Sequence, residues 1–336
     1  MMTYDEVARL VWAPIPPRSD TDIEYLIHYA TLAANSHNTQ PWLFSGSGRE
    51  VSIRPDLNRA TPSADADLHH LFASLGCATE NLVLAAAAAG WRAETRFEEA
   101  GEGTVIVDFA DDTRVRDPLF DAIVDRQNTR SEYDGRPVPP EDLKAMEMAA
   151  DIDGCRVILI SEKSRIEHLL ELVIAANTVQ VEDPAFVEEL TSWVRFNRRD
   201  AVKMRDGLYS ACAGNPSLPS WLGRLLFKFV FKAKTENEKY AKQIRSSAGL
   251  AVFVSDRDDR AHWVQAGRSY QRFALQATAL GIRHAFINQP VEVAQIRSQV
   301  ADWLGIGDQR PDLVLRYGYA PPMPRSLRRP VADVIV

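Results

Sequence analysis

The sequence has few cysteines and little that indicates export or a membrane. Its three cysteines, Cys77, Cys155 and Cys212, are odd in number and far apart, which argues against a disulfide framework and indicates reduced thiols. The N-terminal stretch MMTYDEVARLVW carries acidic residues where a signal peptide needs a positive start. No run of apolar residues is predicted to span a bilayer. We therefore expect a cytoplasmic protein with no membrane partner.

Basic residues are fewer than acidic residues. Lys and Arg number 39 against 46 Asp and Glu, giving a net charge of −7, which argues against a general role in binding nucleic acid or anionic membranes. The 46% hydrophobic and 25% charged content is typical of a globular protein. The 336 residues allow one large domain or two similar halves.

One basic, apolar segment departs from this pattern. WLGRLLFKFVFKAK, residues 221–234, combines large apolar residues with four cations. It either lies on a membrane surface or forms a buried lid or cap helix. We favour the lid helix.

The motifs of several common enzyme classes are missing. The sequence contains no G-x-G-x-x-G, no G-K-[ST], no C-x-x-C, no H-E-x-x-H and no G-x-S-x-G. Its seven histidines show no metal-ligand spacing, and the neighbours His69 and His70 are predicted to point in different directions from a helix. Neither a zinc enzyme nor a simple hydrolase has support, and we predict no metal.

Two long segments resemble each other. Residues 68–91 and 261–282 are predicted helices, and in each a glycine lies fourteen positions before another: Gly76 before Gly90, and Gly267 before Gly281. Predicted strands surround both, namely a hairpin at 42–56 and a strand at 103–111 in the first case, and strands at 249–256 and 312–320 in the second. Two amphipathic helices of one core can look alike by chance, but the shared glycine spacing favours a duplicated α+β unit.

The rest of the chain is organised around this repeat. A helix is predicted at 21–34 and a strand at 155–161, while residues 162–245 are mostly helical and have no counterpart in the first half. We interpret 162–245 as an insertion. The terminal segment VADVIV either adds a strand to the opposite half's sheet or packs locally.

Three polar segments carry a family resemblance. SHNTQPW, in the loop AANSHNTQPWLF (33–44), resembles the Ser-Ser-x-Asn-x-Gln-Pro-Trp signature of the nitroreductase superfamily. DRQNTRSEYDGRPVPPEDL resembles its N-terminal arginine signature, and RYGYAPPMPRSLRRPVADV resembles its phosphate-binding tail. The order of the segments is similar to that of Acg-type twin-domain FMN-binding proteins.

The resemblance implies an α+β nitroreductase-like fold made of two tandem degenerate halves that form an intrachain pseudo-dimer. The halves would be residues 1–118 and 119–336, with a helical lid at about 162–245. The first half has the Asn/Gln loop but no arginine motif, and the second has the reverse. One FMN per chain, held between the halves, would therefore suffice. The protein is expected to be a monomer acting as a pseudo-dimer, or a homodimer.

The resemblance also assigns FMN contacts. The phosphate needs arginine forks, and the ring needs amides at its polar edge. For the second phosphate contact of the tail, Arg329 is the alternative to Arg328. His37 either contacts the ligand or is a solvent-exposed loop residue. The 285–290 loop either lies beside flavin N5 or is a plain turn that ends at Pro290. The implied cofactor-binding residues are Ser36, His37, Asn38, Gln40, Arg126, Asn128, Arg130, Ile287, Asn288, Gln289, Arg325 and Arg328.

The implied function is that of an FMN-dependent oxidoreductase. NADH or NADPH would reduce the flavin, which would then reduce a small nitroaromatic or quinone-type acceptor in a ping-pong scheme without a side-chain nucleophile. The alternative is an FMN-binding or FMN-sequestering protein whose lid stays closed and which has little or no reductase activity.

Overall fold

The computed structural model describes residues 2–17 and 22–336 of an α+β protein. Its framework is two four-stranded antiparallel sheets. The first sheet has the order β1-β2-β4-β3, with β1 (Trp42–Ser47), β2 (Glu50–Pro55), β3 (Trp91–Glu98) and β4 (Thr104–Asp111).

The second sheet repeats this arrangement. Its order is β5-β8-β10-β9, with β5 (Cys155–Ile160), β8 (Gly249–Ser255), β9 (Arg283–Phe286) and β10 (Arg310–Gly318). Between β5 and β8, the short strands β6 (Val194–Arg195) and β7 (Leu208–Tyr209) pair in parallel. The two large sheets thus share one strand order.

Helices connect and cover the sheets. Apart from 3-10 turns, the described residues form α1 (Tyr4–Val11), α2 (Ile23–Thr31), α3 (His69–Ala89), α4 (Pro118–Ala122), α5 (Pro140–Ala149), α6 (Lys163–Glu182), α7 (Pro184–Trp193), α8 (Arg198–Met204), α9 (Ser220–Val230), α10 (Ala233–Arg245), α11 (Arg260–Ala279), α12 (Gln289–Glu292) and α13 (Ala294–Leu304).

The central helices α3 and α11 occupy equivalent places, each between the second and third strands of its sheet. Each ends before a glycine in the left-handed region, Gly90 at φ 96° and Gly281 at φ 72°, a conformation that glycine adopts without a Cβ clash. The two helices pack on each other at Gly76 and Gly267. One buried apolar cluster joins both helices to both sheets, including Phe72, Phe253 and Phe273.

The halves differ in their connections. A tight turn with Gly48 at φ 62° joins β1 to β2, whereas residues 161–248 separate β5 from β8 and contain α6 to α10. This segment is mostly helical, and its interpretation as an insertion at 162–245 stays a prediction. A second apolar cluster packs α6, α12 and α13 on the second sheet.

The ends of both long predicted helices are wrong, and the strand predicted at 312–320 is β10 at Arg310–Gly318. The helix predicted to reach residue 91 ends at Ala89, and Trp91 begins β3, whose side chains alternate between buried and exposed. The helix predicted at 261–282 ends at Ala279, and residues 283–286 form β9. In the predicted 21–34 helix, Thr21 lies outside the described residues, and α2 spans Ile23–Thr31.

The prediction that no segment could span a bilayer also needs a correction. In the described part of the chain α3 is long and apolar enough to do so, with 83% of the relevant window buried inside the protein. A central core helix has this character because neighbours cover it all round. Cys77, Cys155 and Cys212 are buried and unpaired.

The C-terminal segment extends the first sheet. The amide of Phe44 donates to the carbonyl of Val334 at 2.7 Å, and the amide of Val336 donates to the carbonyl of Phe44 at 2.9 Å. Of the two alternatives for VADVIV, the structure therefore shows pairing with the edge strand of the opposite sheet rather than local packing.

Candidate functional site

A cavity of about 490 Å³ lies beside α3, at the meeting point of the two sheets' loops and the insertion. This volume lies in the range of small-molecule and cofactor sites. Its wall combines the 34–37 loop and α3 with residues 128–130, residues 286–292 and much of the insertion. Segments far apart in sequence thus form one enclosure.

The loop from Asn35 to Gln40 has an unusual backbone. His37, Asn38 and Gln40 have φ values of 46°, 54° and 54°, a region that costs a residue with a side chain about 1–3 kcal/mol. The carbonyl of Asn35's side chain accepts from the Gln40 amide at 2.9 Å, and the Thr39 amide donates to the Ser36 carbonyl at 2.9 Å. The loop is fixed in a strained form that presents Ser36 and His37 to the cavity.

The amide side chains of Asn38 and Gln40 lie behind this wall. Asn38 Nδ2 donates to the carbonyls of Gly207 at 3.0 Å and Leu327 at 3.1 Å. Gln40 Nε2 donates to the carbonyl of Arg205 at 2.9 Å, while its Oε1 accepts from the Arg329 amide at 2.7 Å. Neither residue lines the cavity. Both tie the loop to the insertion and the tail, and their contact with a flavin ring stays a prediction.

Buried polar atoms without partners converge on the cavity. Among the described residues, His37 Nδ1, Asn128 Oδ1 and Gln289 Oε1 are buried and have no hydrogen-bond partner, and all three residues line the wall. A buried unsatisfied polar atom costs about 1–3 kcal/mol. Three at one cavity indicate a site for a polar ligand.

Arg130 adds a positive charge to the same wall. In the described part of the chain its guanidinium has neither an ion pair nor a hydrogen bond to a side chain or carbonyl, although it lines the cavity. Burial, followed by the charge of Arg130, lowers the pKa of His37 to about 4, so His37 is neutral at pH 7. His37 is partly buried and lines the cavity, and its contact with a ligand stays a prediction.

The other predicted phosphate ligands lie away from the wall. Arg328 is 5% exposed and donates to the carbonyls of Thr31 and Ala33 and to Asn38 Oδ1. Arg126 donates to the carbonyl of Leu32 at 3.0 Å. These two cations thus meet the negative C-terminal end of α2.

Arg325 of the tail lies near both Arg126 and Arg328. Arg325 donates to the Val124 carbonyl, pairs with Asp125 at 3.1 Å and lies over the Trp12 ring. Burial, with the nearby charge of Arg126, lowers the pKa of Arg328 to about 9. Phosphate contact by Arg126, Arg325 and Arg328 stays a prediction. In the structure several of their donors are engaged by protein groups, whereas Arg126 Nε is buried without a hydrogen-bond partner.

The 287–289 segment is divided between core and cavity. Ile287 is buried in the second apolar cluster, and its amide donates to the Val314 carbonyl at 2.9 Å. Asn288 and Gln289 line the cavity. Asn288 Oδ1 accepts from the Val314 amide at 2.8 Å, and its Nδ2 lies 3.1 Å from His70 Nε2.

His70 is a cavity residue that the sequence did not reveal. Its Nδ1 lies 3.4 Å from Asp65 Oδ1, and its Nε2 lies 3.9 Å from Glu292 Oε1. Burial disfavours the imidazolium, but the hydrogen bond and charge of Asp65, with the charge of Glu292, outweigh it and raise the pKa of His70. Burial raises the pKa of Glu292. The cavity therefore has a proton-holding pair on one side.

The expectation that the His69 and His70 side chains point apart is wrong, because one nitrogen of each ring lies close to the other ring. Their Nδ1 atoms lie 3.4 Å apart, and together with Asp65 they offer three ligand atoms within 4.8 Å of one another. Each group is already engaged, since His69 Nε2 lies 2.8 Å from Asp312 Oδ1 and Asp65 accepts from the amides of His70 and Leu71. We assign no metal to this cluster.

The insertion supplies an aromatic wall that sequence reasoning predicted only in outline. Phe196 and Phe227 line the cavity, with ring centroids 6.2 Å apart, and Phe227 stacks on Phe231 at 4.6 Å. Tyr240 and Lys239 of α10 also reach the wall. Flat apolar side chains of this kind suit the faces of an aromatic ligand.

Fold and site together define an α+β protein with two similar sheets and a cofactor-sized cavity that has orphaned amide oxygens, an unpaired guanidinium and aromatic side chains. No protein-family model matches the chain. Two curated relatives from Mycobacterium tuberculosis (strains CDC 1551 / Oshkosh and H37Rv), both carrying the name "Putative NAD(P)H nitroreductase", are each 28% identical to it. The alignments span 95% of this chain and 92% of each relative. This similarity supports assignment of the chain to the nitroreductase superfamily.

Solved structures give a weaker likeness. A nitroreductase with bound FMN from Desulfitobacterium hafniense is 15% identical and covers 66% of this chain and 98% of its own, at a TM-score of 0.42. The FMN-dependent nitroreductase NfnB from Mycobacterium smegmatis, in complex with NADPH, is 15% identical and covers 64% and 96%, at a TM-score of 0.43. Scores below 0.5 describe only a partial overlap of the two folds.

Proposed function

We propose that this protein is an FMN-binding oxidoreductase of the nitroreductase superfamily that uses NADH or NADPH and reduces nitroaromatic or quinone-type acceptors. The observation that carries the proposal is the convergence of His37, Asn128, Arg130 and Gln289 on one cavity, each with a polar group that lacks a protein partner. The whole-length similarity to proteins named as nitroreductases supports the same conclusion.

The residues at the cavity fit FMN. An FMN phosphate needs cations, which Arg130 and Lys239 supply. The polar edge of the ring needs hydrogen-bonding amides, which Asn128, Asn288 and Gln289 supply. The ring faces need flat apolar cover, which Ala73 and Phe227 can give. Each part of the cofactor thus has a counterpart in the wall.

Arg126 and Arg328, which lie away from the cavity, would then act indirectly. Arg126 and Arg328 bind the last carbonyls of α2, directly before the loop that presents Ser36 and His37. We assign them to holding this loop in its strained form. A buried guanidinium offers several donors in fixed directions, which suits the simultaneous capping of several carbonyls.

We further propose that the chain is an Acg-type pseudo-dimer of two degenerate halves, 1–118 and 119–336, of which residues 1 and 18–21 lie outside the described part. The identical strand orders support this. The reciprocal packing of α3 and α11 also supports this, because Gly76 contacts Val264 and Gly267 contacts Ala73. In each helix the glycine lies three residues after the residue that the other helix's glycine contacts. Such reciprocity is typical of two-fold interfaces. A pseudo-dimer of this kind would hold one FMN per chain.

Bound FMN would supply the hydride chemistry, taking electrons from NAD(P)H and giving them to the acceptor. The protein would position both substrates and exclude water with the aromatic wall. His70 Nε2 would accept a hydrogen bond from the Asn288 amide nitrogen, and the imidazole would hold its proton on Nδ1, which faces Asp65.

The experiment is anaerobic reduction of the FMN-loaded protein. Rapid loss of the oxidised flavin absorbance with NADH or NADPH supports the reductase. A protein that binds FMN, ignores both donors and bleaches with dithionite is a sequestering protein. A colourless protein that cannot be loaded with FMN refutes both.

One observation favours the sequestering alternative. The 205–207 segment of the insertion is fixed to the first half by Asn38 and Gln40, and the buried Asp206 pairs with both Arg59 and Arg195. This part of the insertion does not open freely. Access to the cavity would therefore depend on movement of another part of its wall.

A further inference from the structure

Exposed apolar side chains are concentrated on α9. Of the fourteen large exposed hydrophobic residues in the described part of the chain, five lie in this one helix: Trp221, Leu225, Leu226, Phe229 and Val230. Trp221 is 71% exposed and Phe229 is 65% exposed. Trp221, Leu225 and Phe229 follow a four-residue spacing and share one face. An apolar face of this kind marks an interaction site.

The opposite side of α9 is what holds the helix to the protein. A Cβ on Gly223 would lie 2.4 Å from the ring of Phe196, so only glycine permits this close approach. Phe227 packs on the same ring and on Phe231. Gly223 and Phe227 thus attach α9 to the protein, whereas Trp221, Leu225 and Phe229 lie on its other side, exposed and outside the cavity wall.

Charge identifies the partner of this face. The sequence has no acidic residue between Asp206 and Glu236, while that stretch carries Arg224, Lys228, Lys232 and Lys234. Arg224, Lys232 and Lys234 are exposed. A cationic patch in a chain of net charge −7 is a local feature and complements a negative surface.

We propose that α9 docks on an anionic lipid bilayer, with Trp221, Leu225 and Phe229 entering the headgroup region and the basic residues meeting anionic headgroups. Tryptophan and phenylalanine beside Lys and Arg on one amphipathic helix are the composition of interfacial helices. Each Lys or Arg near an anionic membrane surface strengthens the attraction to it. Pairing of two copies through this face would instead bring like charges together. This revises the expectation of a protein with no membrane partner.

The same helix forms part of the cavity wall through Gly223, Leu226 and Phe227. Docking would therefore place the wall of the cavity against the lipid. The proposal itself rests on the surface of α9 and does not depend on FMN binding.

The test is flotation of the full-length protein with vesicles. Wild type should bind phosphatidylcholine vesicles containing one third phosphatidylglycerol about tenfold or more better than pure phosphatidylcholine vesicles, and high salt should weaken the difference. Trp221→Ser with Phe229→Ser should abolish binding, and Arg224→Glu with Lys232→Glu should remove the preference for the anionic lipid. Met148→Ser removes a side chain that is 66% exposed on α5 and should change nothing.

A second readout locates the contact. Brominated lipid should quench part of the tryptophan fluorescence, and Trp221→Phe should remove that quenching while binding persists. Absence of binding to anionic vesicles would overturn the proposal, as would equal binding by wild type and the Trp221/Phe229 variant. A dimer in light scattering that the same variant dissociates, without vesicle binding, would show that the face pairs with a second copy and would also overturn it.

Discussion

Gly76 and Gly267 lie at equivalent positions of α3 and α11, and each leaves its space to the backbone of the other helix. A Cβ on Gly76 would lie 2.0 Å from the Val264 carbonyl oxygen, and one on Gly267 would lie 1.9 Å from that of Ala73. Around them, Cys77 Sγ donates to the Gly267 carbonyl at 3.2 Å, and Glu80 pairs with Arg268 and Arg272. The contact between the halves is therefore a close, specific helix pair.

This packing predicts that Gly76→Ala and Gly267→Ala are destabilising. Alanine favours a helix by about 1 kcal/mol over glycine, but the clash with backbone forces the helices apart and should dominate, for a net loss of about 1–3 kcal/mol in each. Urea unfolding measures the change. Ala87→Ser, at the far and partly exposed end of α3, is the control and should cost little. A stabilised Gly76→Ala protein would contradict the close packing.

The cavity cation predicts a specific loss of cofactor. Arg130→Ala should weaken FMN binding by about 1.5–3 kcal/mol, the value of a charge-assisted hydrogen bond, which is tenfold or more in Kd. Fluorescence of released flavin measures it. Arg325→Ala is the matched comparison, because Arg325 is engaged by Val124 and Asp125, and it should have the smaller effect. The reverse order of effects would place the phosphate at the tail.

The fixed part of the insertion predicts a large cost for Asp206→Ala. The side chains of Asp206 and Arg195 are only 7% and 9% exposed, and removing one member of a buried pair costs about 3–5 kcal/mol. Denaturant unfolding measures the cost, and hydrogen exchange should rise around residues 205–207. The exposed pair of Arg49 and Asp111 is the control, where Asp111→Ala should cost less than about 1 kcal/mol. Equal costs would mean that 205–207 is loosely attached.

The buried pair of His70 and Asp65 predicts a pH-dependent stability. The hydrogen bond and charge of Asp65, with the charge of Glu292, outweigh burial and raise the pKa of His70. In turn, His70 lowers the pKa of Asp65 against the effect of burial. Stability from His70 is fully present below its unfolded pKa of about 6.5 and is lost as the pH rises through the folded value. Stability from Asp65 is present above its unfolded pKa of about 3.9 and is lost as the pH falls through the folded value.

His70→Asn should therefore cost more free energy of unfolding at about pH 5.5 than at about pH 8.5. The titratable groups that face His70 are Asp65, Asp67, His69, His37 and Glu292, all of which the variant retains. His168→Asn, at an exposed surface pair with Glu171, is the control and should show little dependence on pH. A cost for His70→Asn that grows with pH would contradict the assignment.

Parts of the fold were predictable because they depend on local sequence. The hairpin at Gly48 and the two similar helices with their terminal glycines follow from turn chemistry and periodicity. The alternating pattern from Trp91 onward indicates strand β3. The helix prediction overlooks this strand because it assigns Trp91, the first residue of β3, to the preceding helix.

The site was less predictable because its contacts span long distances in the chain. Asn38 and Gln40 have the composition of ligand-binding amides, but their partners Arg205, Gly207 and Arg329 lie 165 to 289 residues away. No local pattern distinguishes an amide that binds a ligand from one that binds distant backbone. His70 was missed because a histidine in the first turn of a core helix has no sequence signal of its own.

The central claim is that one chain holds one FMN between its halves. Equilibrium titration of the purified protein with FMN, together with the protein concentration, tests it most directly. We predict saturation at one FMN per chain, with tenfold or weaker binding in Arg130→Ala. Saturation at two FMN per chain, or no binding at all, would contradict the account.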